Sequence, residues 1–254
     1  MEIATRQVDA LKVHIFESRT ELGASAAADA AARIRRAIAE RGEANVIFAA
    51  APSQNELLAG LLREDVDWSR VRAFHQDEYI GIGPDEPAGF GNFLDRAIFG
   101  KLPFMEKHYL LCPTERAKRM CADYAALLEK YPPDLILLGI GENGHLAFND
   151  PAVADFNDPE VIKIVDLDDV CRQQQVNDGC FARLDDVPRQ AVTMTMSCLM
   201  AVPEAICVVP GSRKANAVHG ALSGPIDEAC PASALRRHPS ATLYLDRDSA
   251  ARVL

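Results

Sequence analysis

Residues 134–140 read Asp-Leu-Ile-Leu-Leu-Gly-Ile, an apolar run in which no polar residue recurs at every second position. A strand with one wet face alternates; a run without alternation has to be covered on both faces, which is the signature of a parallel sheet sandwiched between helices. Residues 45–50 (NVIFAA) and 205–209 (AICVV) have the same character. Further strands are predicted over 12–16, 71–74, 109–111, 161–165, 191–196 and 242–245. Helical patterns separate them. Ser18 and Glu21 make a capping-box spacing before an Ala-rich helix that reaches Arg41 and stops at Gly42, and Ser53 and Glu56 repeat that spacing before LLAGLL. Helices are also predicted over 90–99, 114–131, 170–180 and 213–222, with a closing helical turn at 249–253. Such βαβα alternation predicts an α/β fold: a doubly wound, mostly parallel sheet with helices on both faces. With 254 residues, 48% of them hydrophobic, and no repeat or linker, the whole chain is expected to form one domain.

The bulk charge removes several classes of function. The formal net charge is −10, from 27 Lys and Arg against 37 Asp and Glu. A nucleic-acid surface needs clustered cations, so no nucleic-acid partner is expected, although one local cationic pocket for a small anion is invisible in the sum. The first residues, MEIATRQVDALKVHIFES, lack the apolar core of a signal peptide, and no stretch is long and apolar enough to span a membrane. Seven cysteines, at 112, 121, 171, 180, 198, 207 and 230, are odd in number, irregular in spacing and without a C-x-x-C pair. Scattered thiols in a cytoplasmic protein fit this better than a disulfide framework or a zinc site, and each is expected to be a small core residue.

Open parallel sheets bind ligands beyond the carboxyl ends of their strands. Four segments follow strands: 51–55 (APSQN), 75–79 (HQDEY), 141–151 and 210–214 (PGSRK). The third contains Gly139-Ile140-Gly141-Glu142-Asn143-Gly144, which matches the dinucleotide fingerprint G-x-G-x-x-G, and Asp166 stands where a ribose-binding acid would. That fingerprint needs a helix starting at the glycines. Here HLAFNDPAVADFNDP follows, and Pro151 and Pro159 punctuate it as loop. The alternative is a tight glycine turn that places His145 at the sheet rim. Asp150, five positions on across a turn, could then fix the imidazole tautomer and raise its basicity. Asp77 and Glu78 close another strand. A pocket-facing Asp77 could remove a proton α to a carbonyl, and a carboxylate base paired with a histidine serving a sugar oxygen suggests isomerase chemistry.

These motifs resemble those of the glucosamine-6-phosphate deaminase/isomerase family, in the superfamily that also holds 6-phosphogluconolactonase. DEYIG at 77–81, GIGENGHLAFNDP at 139–151 and PGSRK at 210–214 carry the resemblance, in order along nearly the whole chain. It implies conversion of glucosamine 6-phosphate and water into fructose 6-phosphate and ammonia, a hydrolytic deamination, with no metal and no organic cofactor. Asp77 resembles the base that moves the C2 proton, and His145 the group that assists ring opening. Asp150 stands where better-known members have Glu, orienting that histidine; Asn143 stands where members have Asp or Asn. Lys214 and Arg172 resemble phosphate ligands. The usual Gly-Gly-Thr-Pro phosphate loop is replaced by 51–56 (APSQNE), where Ser53, Gln54 and Asn55 can donate at a helix N-terminus but Glu56 adds an anion. Glu78 and Gly144 complete the expected substrate-binding set. The expected partner is a small sugar phosphate, and a homo-oligomer is left open. Two alternatives stay open: a lactonase-type hydrolase, against which Tyr79 and the FNDP stretch speak, and a non-catalytic sugar-phosphate-binding protein.

Overall fold

The computed structural model describes residues 1–111 and 113–254. In chain order the elements are β1 (Glu2–Val8), β2 (Leu11–Phe16), α1 (Arg19–Arg41), β3 (Ala44–Phe48), α2 (Asn55–Leu61), β4 (Val71–His75), β5 (Asp77–Tyr79), α3 (Phe90–Leu94), β6 (Glu106–His108), α4 (Ala117–Lys130), β7 (Leu135–Leu138), β8 (Ile162–Asp166), α5 (Asp169–Asn177), β9 (Gln190–Met194), α6 (Met196–Ala201), β10 (Glu204–Val209), α7 (Ala215–Ser223) and β11 (Ala241–Asp246). Eight strands form one sheet in the order β1-β2-β11-β10-β7-β3-β4-β6. All its pairings are parallel except β1 with β2.

The unbroken apolar runs behave as both-face burial demands. Val46 and Phe48 point into one core and Ile47 into the other; Leu135 and Leu137 divide from Ile136 and Leu138 in the same way. α1 and α2 cover the first face, and α4, α6 and α7 the second. α1 begins as its capping spacing predicts: the Glu21 N–H donates to Ser18 Oγ at 3.3 Å, and Gly42 ends the helix in the left-handed region at φ 86°. α1 and α2 pack closely, since a Cβ on Gly23 would stand 2.3 Å from Glu56 Cβ and one on Gly60 2.5 Å from Ala27 Cβ. That contact seats the loop holding Ser53 against the sheet.

Several local expectations are corrected. Ser53 does not cap α2. Pro52, with φ fixed by its ring, opens a 3-10 turn over Pro52–Gln54, which leaves Ser53 inside the turn, and Glu56 pairs with Arg19 at 2.6 Å instead. The strand predicted at 109–111 lies at Glu106–His108, and residues 249–253 form turns rather than helix. β1 was not predicted: it is a mostly exposed edge strand without a buried periodicity to mark it. A second sheet, antiparallel in the order β5-β9-β8, was likewise not predicted. Six described cysteines are free thiols; Cys112 lies outside the described residues. Among the described residues no helix is long and apolar enough to cross a membrane.

Candidate active site

From β3 the chain moves outward to β4 and β6, and from β7 it moves the other way to β10 and β11. The boundary between β3 and β7 is therefore the topological switch point, where the connections part and leave a crevice at the strand ends. A solvent-open cleft lies there, lined by Ser53, Gln54, Gln76, Asp77, His145 and Lys214 among others. Ser53 and Lys214 also line an adjoining cleft with Arg19, Glu142 and Ser212.

Asp77 reaches the cleft because the chain changes sheets there. β4 ends at His75, and after Gln76 the chain becomes β5, where Asp77 faces Thr193 of β9. The carboxyl is 4% exposed and has no hydrogen-bond partner among the described residues; burial first, then the charge of Glu78, hold it well above the usual carboxylate range.

The glycine motif makes a turn and not the start of a helix. The Gly141 N–H donates to His145 O at 2.9 Å, and the Gly144 N–H to Gly141 O at 3.0 Å. Gly144 is left-handed at φ 88°, and a Cβ at Gly141 would lie 2.1 Å from His145 Cε1. The imidazole thus rests on a glycine that has to lack a side chain. Beyond it the chain forms a Leu146–Asn149 bridge and turns, and the next helix is α5. A pyrophosphate-binding helix N-terminus is absent from this position. Ala147, which lines the cleft, is left-handed at φ 52°. That conformation costs a non-glycine residue on the order of 1–3 kcal/mol. Its neighbours pin it: the Phe148 N–H donates to Thr193 Oγ1 at 3.1 Å and Asn149 Nδ2 to Met194 O at 2.8 Å.

Behind His145, its Nδ1 lies 2.9 Å from Asp150 Oδ1, approaching off the ring N–H axis. Asn143 braces both residues. Its Nδ2 donates to Asp150 Oδ1 at 2.9 Å, and its Oδ1 accepts the His145 N–H at 3.1 Å. Burial acts to raise the Asp150 carboxyl, but the contact and charge of His145, with help from Asn143 and Cys171, leave it below its ordinary value. Asp150 is therefore ionised. The Asp150 carboxylate, the His145 imidazole and the Cys171 thiol form the only group of potential metal ligands of this kind among the described residues.

Lys214 is 7% exposed, with no ion pair among the described residues; burial lowers its pKa, partly opposed by Asp178 and Glu142. A buried ammonium without a counterion is costly unless an anion joins it. Arg213 beside it is exposed and donates to Asn177 O.

Four of the expected residues are placed elsewhere. Arg172 is 3% exposed, and its guanidinium donates to Asp169 Oδ1 at 2.9 Å, Leu184 O at 2.6 Å and Val187 O at 3.2 Å. It ties α5 to the 184–187 turn and does not line the cleft. Asn55 starts α2 with an exposed side chain. Gly144 shapes the turn and packs against Cys230. Glu78 points away from the cleft and accepts the N–H groups of Tyr79, Phe90 and Gly91 at 2.9, 3.0 and 2.9 Å, while burial raises its carboxyl to about 6 in spite of them. Glu78→Gln places an N–H₂ or a single acceptor before three donors. It should destabilise the fold by about 1–3 kcal/mol in urea unfolding; a loss under about 0.5 kcal/mol would contradict a structural role.

Gln76, Gln174 and Gln175, none of them singled out from sequence, line the cleft. Gln174 Oε1 also accepts the Glu142 N–H at 2.8 Å. Gln174 and Gln175 are signalled only by the glutamine run beside Arg172, and Gln76 only by its place at a strand end before Asp77.

Comparison with known proteins agrees with this geometry. Residues 17–244 match the family model described as glucosamine-6-phosphate isomerases/6-phosphogluconolactonase. A glucosamine-6-phosphate deaminase of Listeria innocua is 34% identical over 210 residues, covering 82% of this chain and 88% of that protein. One from Bacillus thuringiensis is 34% identical over 193 residues, covering 76% and 72%. Among solved structures, a monomeric glucosamine-6-phosphate deaminase superposes with a TM-score of 0.87 at 27% identity, covering 94% of this chain and 99% of that one. A 6-phosphogluconolactonase from Trypanosoma brucei, at TM-score 0.78 and 16% identity over 99% and 100% of the two chains, shares the fold. With its α/β sheet, its switch-point cleft and a family match over most of its length, this chain belongs to the glucosamine-6-phosphate isomerase/6-phosphogluconolactonase family.

Proposed function

We propose that the chain is a deaminase of an amino-hexose 6-phosphate, converting glucosamine 6-phosphate and water into fructose 6-phosphate and ammonia. The observation that carries this is one cleft lined by an unpartnered carboxylate, Asp77, and by His145, whose ring is backed by Asp150. His145 passes a proton to the ring oxygen as the C1–O bond opens. Asp77 takes the C2 proton and returns it to C1, leaving an imine at C2 that water hydrolyses to the ketone and ammonia. C1 is reduced as C2 is oxidised, so the steps balance without an external oxidant or reductant. The whole chain is read as one domain, and its scattered thiols suit the reducing cytoplasm. The relatives' shared name supports the same activity.

The test is ammonia release from the 6-phosphates of glucosamine, galactosamine and N-acetylglucosamine, alongside hydrolysis of 6-phosphogluconolactone. Turnover is expected on glucosamine 6-phosphate. Hydrolysis of the lactone without ammonia release from any amino sugar would overturn the assignment.

Lys214 is the proposed phosphate ligand, with Ser53 and the Gln54 side chain beside it. A phosphate would supply the anion this buried ammonium lacks. Lys214→Met should weaken binding of phosphorylated sugars by about 1.5–3 kcal/mol, one charge-assisted hydrogen bond. It should barely change weak binding of unphosphorylated glucosamine by titration calorimetry. Equal loss on both ligands, or none on either, would take Lys214 out of the phosphate site.

A further inference from the structure

We propose that His145, Asp150 and Cys171 form a binding site for a thiophilic divalent cation of the zinc class, whose occupancy takes the imidazole out of use. One ligand atom from each residue lies within 4.8 Å of the other two, and all three residues are buried. Imidazole nitrogen, carboxylate oxygen and thiolate sulfur are the three donor types that zinc accepts, with a water completing four-coordination. Magnesium and calcium, which require oxygen ligands in greater number, do not match the set.

The contacts among these groups are also poorly formed. His145 Nδ1 meets Asp150 Oδ1 at 2.9 Å only off the ring N–H axis, and Asp150 Oδ2 is fully buried with only the Cys171 thiol beside it. Buried polar atoms are rarely left so weakly satisfied. A cation between imidazole, carboxylate and thiol would take up both. The donors are also held in place. The Cys171 N–H donates to Asp168 Oδ1 at 2.6 Å, which fixes the first turn of α5, and the His145 ring is seated on Gly141. Burial first, then the charges of Asp150 and Asp168, hold the Cys171 thiol well above its ordinary range, so the free protein carries it protonated. As the sulfur–metal bond forms, the thiol proton leaves to solvent. No electron transfer is involved.

Binding of the cation stands apart from the deaminase assignment; only its inhibitory effect rests on that assignment. X-ray absorption at the zinc edge on the wild-type protein with one equivalent of Zn²⁺ reads the ligand set without a variant. The expected shell is one sulfur at about 2.3 Å with nitrogen and oxygen at about 2.0–2.2 Å. Cys171→Ser should weaken Zn²⁺ binding at least about tenfold and raise the Zn²⁺ concentration for half-inhibition of ammonia release in parallel. Cys198→Ser should leave both unchanged. Mg²⁺ should neither bind nor inhibit. A shell without sulfur, or with more than one, would overturn the site, as would unchanged affinity in a folded Cys171→Ser protein. If the zinc shell is as expected but no amino-sugar phosphate is turned over, the metal site stands and the deaminase assignment falls.

Discussion

Asp77→Asn should cut turnover of glucosamine 6-phosphate by about 10²–10⁴-fold while leaving sugar-phosphate binding largely intact. An amide at the same place keeps the shape of the cleft and removes the proton acceptor. The same carboxylate should also set the acid limb of the pH profile. Burial and Glu78 raise its pKa well above the ordinary 3.8, and the proposed base acts in its ionised form. Activity is therefore full above that raised pKa and is lost as pH falls through it. The limb in kcat/KM should stand clearly above the ordinary carboxylate range, and the residual activity of Asp77→Asn should lack it. Turnover within about tenfold of wild type, or a limb at the ordinary position, would remove Asp77 as the base.

His145→Ala should bring a loss of similar order, about 10²–10⁴-fold in kcat, because general acid–base transfer to the ring oxygen is gone. The informative experiment is the cycle with Asp150→Asn. Asp150 reaches no cleft surface itself; it lies 2.9 Å from His145 Nδ1 and is proposed to act on the reaction through that ring. A residue that acts through another contributes nothing once the other is deleted. The double variant should therefore be no slower than His145→Ala alone, while Asp150→Asn by itself is substantially impaired. Fully additive losses would give Asp150 an independent role and end its assignment as the histidine's orienting group. The Asp at this position, in place of the Glu of better-known members, is no obstacle to contact, because the Asn143 bridge and the 146–149 turn bring the shorter carboxylate to the ring.

The frame of the molecule was legible because both-face burial leaves a mark that needs no tertiary information. β7 is apolar at every position, β3 and β10 at all but Asn45 and Glu204, and each lies where the sequence predicts a strand. The strand-end rule then drew attention to Asp77, His145 and Lys214, which the structure brings to one cleft. What stayed hidden depended on long-range pairing. β5 has three residues and gains its identity only from pairing with β9, about a hundred positions away, so no local periodicity marks it. Glu78 is Asp77's neighbour in sequence, yet strand alternation turns it to the opposite side, against the start of α3. Arg172 looks like a free cation in CRQQQ, but the carbonyls of Leu184 and Val187 claim it. Pro52 and Arg19 together explain why the Ser53–Glu56 spacing makes no capping box. The first residue starts the turn early, and the second takes the glutamate.

In the proposed function, one cleft at the β3–β7 switch point holds the base, the ring-opening acid and the phosphate cation around a single sugar. A crystal structure of Asp77→Asn with glucosamine 6-phosphate bound tests it most directly. The phosphate should lie in hydrogen-bond reach of Lys214 Nζ, the ring oxygen beside His145, and C2 about 3–3.5 Å from the residue 77 side chain. A sugar bound outside this cleft, or one whose phosphate lies at His145 and whose C2 faces Lys214, would contradict it.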